Sequence, residues 1–147
     1  MDFQVILYTD GACMGNPGPG GWASILVCKG HEKILCGGDC NTTNNRMELS
    51  AVIEGLKALK FPCEVTVITD SKYVCDSINL KWLNSWKKKG WKHSDSKPLP
   101  NKELWMELDK LLNIHNVKFQ WVKGHDGHPY NERCDKIAVE QSHIYKQ

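Results

Sequence analysis

Two stretches of the sequence end alike. Tyr8-Thr9-Asp10 and Ile68-Thr69-Asp70 each close an apolar run with an aspartate. Open α/β sheets bind ligands beyond the carboxyl ends of their strands, so parallel neighbours would bring Asp10 and Asp70 to one edge. Glu48 falls in the first turns of an amphipathic stretch, two residues after Arg46, and Asp135 falls early in the last such stretch. Carboxylates from four elements can therefore meet at one rim. Such a cluster repels itself, and some members stay protonated until a cation enters. Hard oxygen ligands select Mg²⁺ or Mn²⁺ over zinc or copper. Two such ions side by side can activate a water and stabilise a leaving oxygen in phosphodiester hydrolysis. Taken singly, each acid reads better as a solvated residue at a strand or helix end. Spacing alone does not bring four together.

The elements that must position them follow from periodicity. Residues 3–9 (FQVILYT) form a continuous apolar, β-branched run, as expected of a central strand covered on both faces. The next segment, GACMGNPGPGG, has five Gly and two Pro in eleven residues and reads as a turn or loop. Residues 22–28 and 32–36 read as two further strands of an antiparallel meander. From Thr43 the period changes: Leu49, Val52, Ile53, Leu56 and Leu59 lie on one helical face, with Thr42 or Thr43 as cap and Pro62 beyond the end. Residues 64–69 are a fourth strand, and Ser71 caps a short helix carrying Tyr73, Val74 and Ile78. Pro100-Asn101 introduces a helix with Leu104, Trp105, Leu108, Leu111 and Leu112. Residues 117–122 alternate as a fifth strand, and a last helix starts at about Asn131. The order βββ-α-β-α-α-β-α predicts an α/β fold: a five-stranded mixed sheet, three strands antiparallel and two parallel, flanked by helices on both faces.

The 147 residues suit one domain, 1–147, large enough to bury roughly two-thirds of the unfolded surface. Charged residues make up 24%, an ordinary globular share that argues against disorder. The net charge is only +2, but it is unevenly spread. Residues 81–97 hold six Lys against one Asp, a net +5, which leaves −3 for the rest. A mildly acidic body with a basic protrusion suggests separate tasks, holding cations and holding a polyanion. No apolar run approaches a membrane span, and the acidic, strand-like start lacks the marks of a secretory signal. Seven scattered Cys argue for free thiols in a reducing, cytoplasmic setting. Cys36 and Cys40, with His31 nearby, lack the second ligand pair that a zinc site needs.

Four blocks carry a resemblance. TDGACMGNPGPGGW, TTNNRMEL, TDSKYV and WVKGHDGHPYNERCD occur in the order found in type I ribonuclease H, and the likeness covers nearly the whole chain. It implies the ribonuclease H-like fold and an endonuclease that cuts the RNA strand of RNA–DNA hybrids, leaving 5′-phosphate and 3′-hydroxyl ends. It implies that Asp10, Glu48, Asp70 and Asp135 hold two Mg²⁺, with Mn²⁺ able to substitute, and that the protein acts as a monomer. His125 would be a histidine that assists proton transfer or product departure, a role its near-neutral pKa suits. Asp126 departs from the small residue expected there, and a carboxylate so near would raise the His125 pKa or attract extra cation.

The same resemblance assigns the substrate groove. Cys13, Asn16, Asn44 and Asn45 would read the RNA minor groove, since short amides and exposed backbone can both donate to and accept from a 2′-hydroxyl. For Asn16 and its Gly/Pro neighbours, turn chemistry is a compatible second reading. Thr43 and Asn101 match positions that grip a DNA-strand phosphate. Lys72 stands where bacterial relatives often carry Gln. Tyr73, Trp82 and Trp86 would line the DNA-strand channel, and Lys87 and Lys88 would contact phosphates. Trp86 and Trp91 read equally as a local hydrophobic core. Rival readings are a non-catalytic hybrid- or dsRNA-binding module, a resolvase or transposase of similar fold, and a ribonuclease H domain of a reverse transcriptase. The four carboxylates with His125, the TTNNRMEL run with the basic arm, and the initial Met with a complete final helix count against them in turn.

Overall fold

The computed structural model describes residues 4–93, 97–124 and 127–146. Strands β1 (Gln4–Cys13), β2 (Gly18–Cys28) and β3 (His31–Thr42) form the antiparallel meander. Helix α1 (Asn44–Lys57) leads to β4 (Glu64–Thr69). Three helices follow, α2 (Lys72–Asn79), α3 (Trp82–Lys88) and α4 (Lys102–Ile114), then β5 (Asn116–Trp121) and α5 (Pro129–Ile144). The sheet order is β3-β2-β1-β4-β5, with β4 parallel to both β1 and β5. This is the ribonuclease H-like mixed sheet expected above, with one helix more: α3 stands alone between the two helices foreseen.

The pleat explains the layers. Val5 and Leu7 of β1, Val65 and Val67 of β4 and Phe119 of β5 face α1 and α4, where Leu49, Val52, Ile53, Leu56, Trp105 and Leu108 complete the larger core. On the opposite face, Ala23 and Ile25 of β2 pack on Cys134 and Ala138 of α5, with Tyr8 and Ala12 of β1 alongside. The expectation that β1 is covered on both faces holds at Tyr8 but not at Ile6, which is exposed. Helix α5 crosses the meander end of the sheet and leaves Ile6 open.

Helix ends follow side-chain chemistry. Thr43 caps α1, its hydroxyl accepting from the Arg46 N–H at 3.3 Å, and Ser71 caps α2 by accepting from Val74 at 3.2 Å. Helix α5 starts at Pro129, two residues before the expected Asn131, because Pro is at home in a first turn. On α1, Leu49, Val52, Ile53 and Leu56 are buried, each stabilising the fold by roughly 1.5–3 kcal/mol. That packing offsets the cost of pressing a carboxylate from the same helix against the sheet.

Candidate active site

Strands β1 and β4 stay in register up to Tyr8 and Ile68. Two residues beyond that rung, Asp10 and Asp70 emerge side by side at the carboxyl edge. The Asp10 carboxylate accepts from the Gly11 N–H at 2.9 Å. Glu48 arrives from the second turn of α1, which crosses β1 at Gly11. A Cβ on Gly11 would sit 2.6 Å from the Glu48 nitrogen and 2.7 Å from the Met47 carbonyl carbon, so this crossing needs a glycine. One carboxylate oxygen from each of Asp10, Glu48 and Asp70 lies within 4.8 Å of the others. Asp135, near the start of α5, stands outside that trio but lines the same cleft of about 500 Å³.

Burial sets the electrostatics. Asp10 is 5% and Glu48 4% exposed. Desolvation first, then the charge of Asp70, pushes the Asp10 carboxyl up to about 8. Desolvation followed by the charges of Asp10 and Asp70 holds Glu48 well above the usual carboxylate range. Glu48 Oε2 is buried without a hydrogen-bond partner among the described residues. An all-oxygen donor set with an orphaned buried oxygen fits a hard divalent cation, which would relieve both the repulsion and the desolvation. No group of three or more candidate ligands that includes Cys36 or Cys40 converges among the described residues, and both of these thiols are exposed.

The groove residues divide into those at the cleft and those around it. Cys13, Asn44, Asn45 and Tyr73 line the cleft, as does Lys72. The Cys13 thiol donates to the Thr42 carbonyl at 3.3 Å, and the Asn16 side-chain oxygen accepts from the Asn44 N–H at 3.2 Å, so the Gly-rich turn is tied to the start of α1. Asn101 accepts from Arg46 Nη1 at 3.2 Å and donates to the Tyr73 hydroxyl at 3.2 Å, which also accepts from Trp105 Nε1 at 2.8 Å. The Thr43 hydroxyl therefore meets the Arg46 main chain, whereas Tyr73 and Asn101 share one side-chain network with Arg46 and Trp105. Sequence reasoning gave neither of these two a role. Arg46 sat inside a quoted block, whereas Trp105 carried only the periodicity of a core residue.

The tryptophans of the arm separate. Trp82 is 42% exposed, whereas Trp86 is 9% exposed and meets Trp105 edge-on at 5.3 Å, the core placement stated as its second reading. Trp91 packs partly buried against the same core. Lys87 pairs with Asp109 at 3.0 Å, and Lys88 is exposed. His125 and Asp126 lie outside the described residues.

Comparison with known proteins gives a consistent picture. The family model described as RNase H matches residues 2–143. The chain is 56% identical over 140 residues to ribonuclease H of Nitratidesulfovibrio vulgaris strain DP4, covering 95% of this chain and 90% of that one. It is 58% identical over 138 residues to ribonuclease HI of Pseudomonas syringae pv. tomato, covering 94% and 91%. Among solved structures, LC9-RNase H1, a type 1 RNase H with the type 2 active-site motif, superposes with a TM-score of 0.85 at 30% identity, over 100% of this chain and 75% of that one. With likeness of this depth along nearly its whole length, the chain belongs to the ribonuclease H family, in the bacterial type I branch.

Proposed function

We propose that the protein is a single-domain endonuclease, spanning residues 1–147, that hydrolyses the RNA strand of RNA–DNA hybrids with two Mg²⁺ and leaves 5′-phosphate and 3′-hydroxyl ends. The observation that carries this reading is the convergence of Asp10, Glu48 and Asp70 within 4.8 Å at the carboxyl edge of the sheet. These three, with Asp135 across the cleft, are the residues that would hold the ions; Mn²⁺ has the same preference for oxygen and can replace Mg²⁺. Bound divalent cations supply an activated water and stabilise the departing 3′ oxygen. His125 moves a proton or helps product leave.

The remaining residues choose and hold the substrate. Asn44 and Asn45, with Cys13 and Asn16, meet the RNA minor groove, where a 2′-hydroxyl both donates and accepts. Thr43 and Asn101 hold a DNA-strand phosphate, their side chains preset by Arg46. Tyr73 and Trp82 flank deoxyribose, with Trp86 backing Tyr73 through Trp105. Lys87 and Lys88 hold phosphates farther out. Among the described residues no helix is long and apolar enough to cross a membrane, and all seven cysteines are free thiols. We read the protein as a cytoplasmic monomer on the thiols and the family.

The deciding experiment uses labelled RNA–DNA hybrid beside matched dsRNA and dsDNA, with and without Mg²⁺. Cleavage confined to the hybrid and to Mg²⁺, with 5′-phosphate fragments, is expected. Equal cutting of dsRNA, or activity that survives chelation, would overturn the reading.

A further inference from the structure

The β4–α2 turn carries Asp70 and Lys72 on either side of the Ser71 cap. Its backbone is pinned from Thr69 to Ser71. The Ser71 N–H donates to Thr69 Oγ1 at 3.1 Å, and the last sheet rung runs from the Val122 N–H to the Thr69 carbonyl at 2.9 Å. The β4–β5 ladder ends at the Thr69–Trp121 pair, so the Asp70 carbonyl lies past the sheet. Its donor comes from a side chain: Trp121 Nε1 donates to it at 2.9 Å. A face of the same indole carries a cation, with Lys72 Nζ 5.0 Å from the ring centroid. Trp121 is 43% exposed, so core burial does not account for a residue of this size at the strand end. The chain leaving β5 also walls Asp70, since a Cβ on Gly124 would meet Asp70 Oδ2 at 2.7 Å. Lys72 is the one lysine or arginine among the described residues that line the cleft.

We propose that Trp121 is a positioning residue for this active site: its indole N–H fixes the main chain that presents Asp70, and its ring holds the Lys72 ammonium at the cleft mouth, where it engages a phosphate of the bound strand. The inference rests on the nuclease reading above. The two functions of the indole separate by substitution. Trp121→Phe keeps a ring for Lys72 and removes the N–H. Trp121→Leu removes both. Lys72→Met removes only the ammonium.

The experiment combines Mg²⁺ titration calorimetry, steady-state hybrid cleavage and thermal melting on the full chain. Because outer hydrogen bonds orient ligands, Trp121→Phe is expected to weaken Mg²⁺ binding and lower kcat by about 3- to 10-fold with KM unchanged. Lys72→Met is expected to raise KM by about 2- to 5-fold, leaving Mg²⁺ affinity unchanged, as loss of uniform binding does. Trp121→Leu is expected to do both. Should Trp121→Phe fold poorly, benzothienylalanine at 121, which keeps the bicyclic shape without the N–H, takes its place under the same expectations. Wild-type Mg²⁺ affinity and kcat in a folded variant lacking the N–H would overturn the proposal, as would a lowered melting temperature alone. A wild type that cuts no hybrid would instead sink the nuclease reading, and calorimetry would still judge the Trp121 contact.

Discussion

At the scale of single residues, the metal-free site is under electrostatic load. Folding buries Asp10 and Glu48 beside Asp70, and the Asp10 carboxyl is held at about 8 against an ordinary 3.8. Between those values the folded chain keeps a proton that the unfolded chain releases. The Asp10 contribution to metal-free stability therefore falls as pH rises from about 4 to 8. Asp10→Asn keeps the shape and removes this load. Measured by urea denaturation without metal, the variant should exceed wild type in stability, and the gain should be larger at pH 8 than at pH 5 by about 2 kcal/mol, roughly half of the ~4 kcal/mol that ~1.4 kcal/mol per unit gives over that range, because neighbours relax. Activity should fall at least ~100-fold with Mg²⁺ present, since an ion-holding charge is gone. A stability gain that is flat with pH would show that Asp10 is ionised in the folded protein. His125 asks a different question. If it carries a proton, as proposed, and is not a ligand, His125→Ala should slow turnover and leave Mg²⁺ affinity nearly unchanged by calorimetry.

At the scale of elements, two glycines set the distances between the acids, and they should fail in different ways. A Cβ at Gly11 meets backbone of α1, which can move only by lifting the whole helix. Gly11→Ala should cost about 1–3 kcal/mol in chemical denaturation and weaken Mg²⁺ binding with it. A Cβ at Gly124 meets the end of the Asp70 side chain, which can swing away. Gly124→Ala should melt within a few degrees of wild type yet lose activity, because Asp70 is displaced. Equal stability losses in both variants would refute that distinction. The same glycines explain what was legible. Hydrophobic patterning placed every strand and most helices, because burial leaves a continuous apolar run in β1, alternation in β5 and a 3.6-residue stripe on α1 and α4. It truncated the meander: β1 runs on to Cys13 and β2 begins at Gly18, inside a segment that reads as a turn. Those glycines are strand residues where other backbone comes close, and a single sequence does not separate close approach from a turn. Asp10 and Asp70 were legible as strand-end acids and Glu48 and Asp135 as acids near helix starts, and the resemblance grouped the four. Trp121 and Arg46 were not, because hydrogen bonds between distant elements leave no spacing to read.

At the scale of the whole molecule, charge divides the labour between an acidic cleft and a basic arm. The arm carries +5 in residues 81–97 against −3 elsewhere, and none of its described residues lines the carboxylate cleft. Charges so placed should attract substrate and transition state about equally, so their loss should raise KM and leave kcat largely intact. Lys87, Lys88 and Lys89 changed together to Ala test this. Each phosphate contact contributes about 0.9 to the salt slope on duplex DNA, which caps the triple loss at roughly 2.7. The structure lowers that ceiling. Lys87 is paired with Asp109 at 3.0 Å, so its charge is already partly answered within the protein. Lys88 and Lys89 then carry most of the effect, about 1.8 of the slope, and the total fall should stay below about 2.7. Lys87→Ala alone should shift the slope less than Lys88→Ala alone. Preference for hybrid over dsDNA should survive in the triple variant, since phosphates carry no strand identity and the proposed reading gives that task to Asn44, Asn45 and the aromatic channel. Steady-state cleavage of one hybrid at several salt concentrations measures all three quantities. An unchanged KM and slope would reduce the lysines to a solvated face. A collapse of kcat at saturating hybrid would mean that the arm aligns the scissile strand as well as holding the duplex.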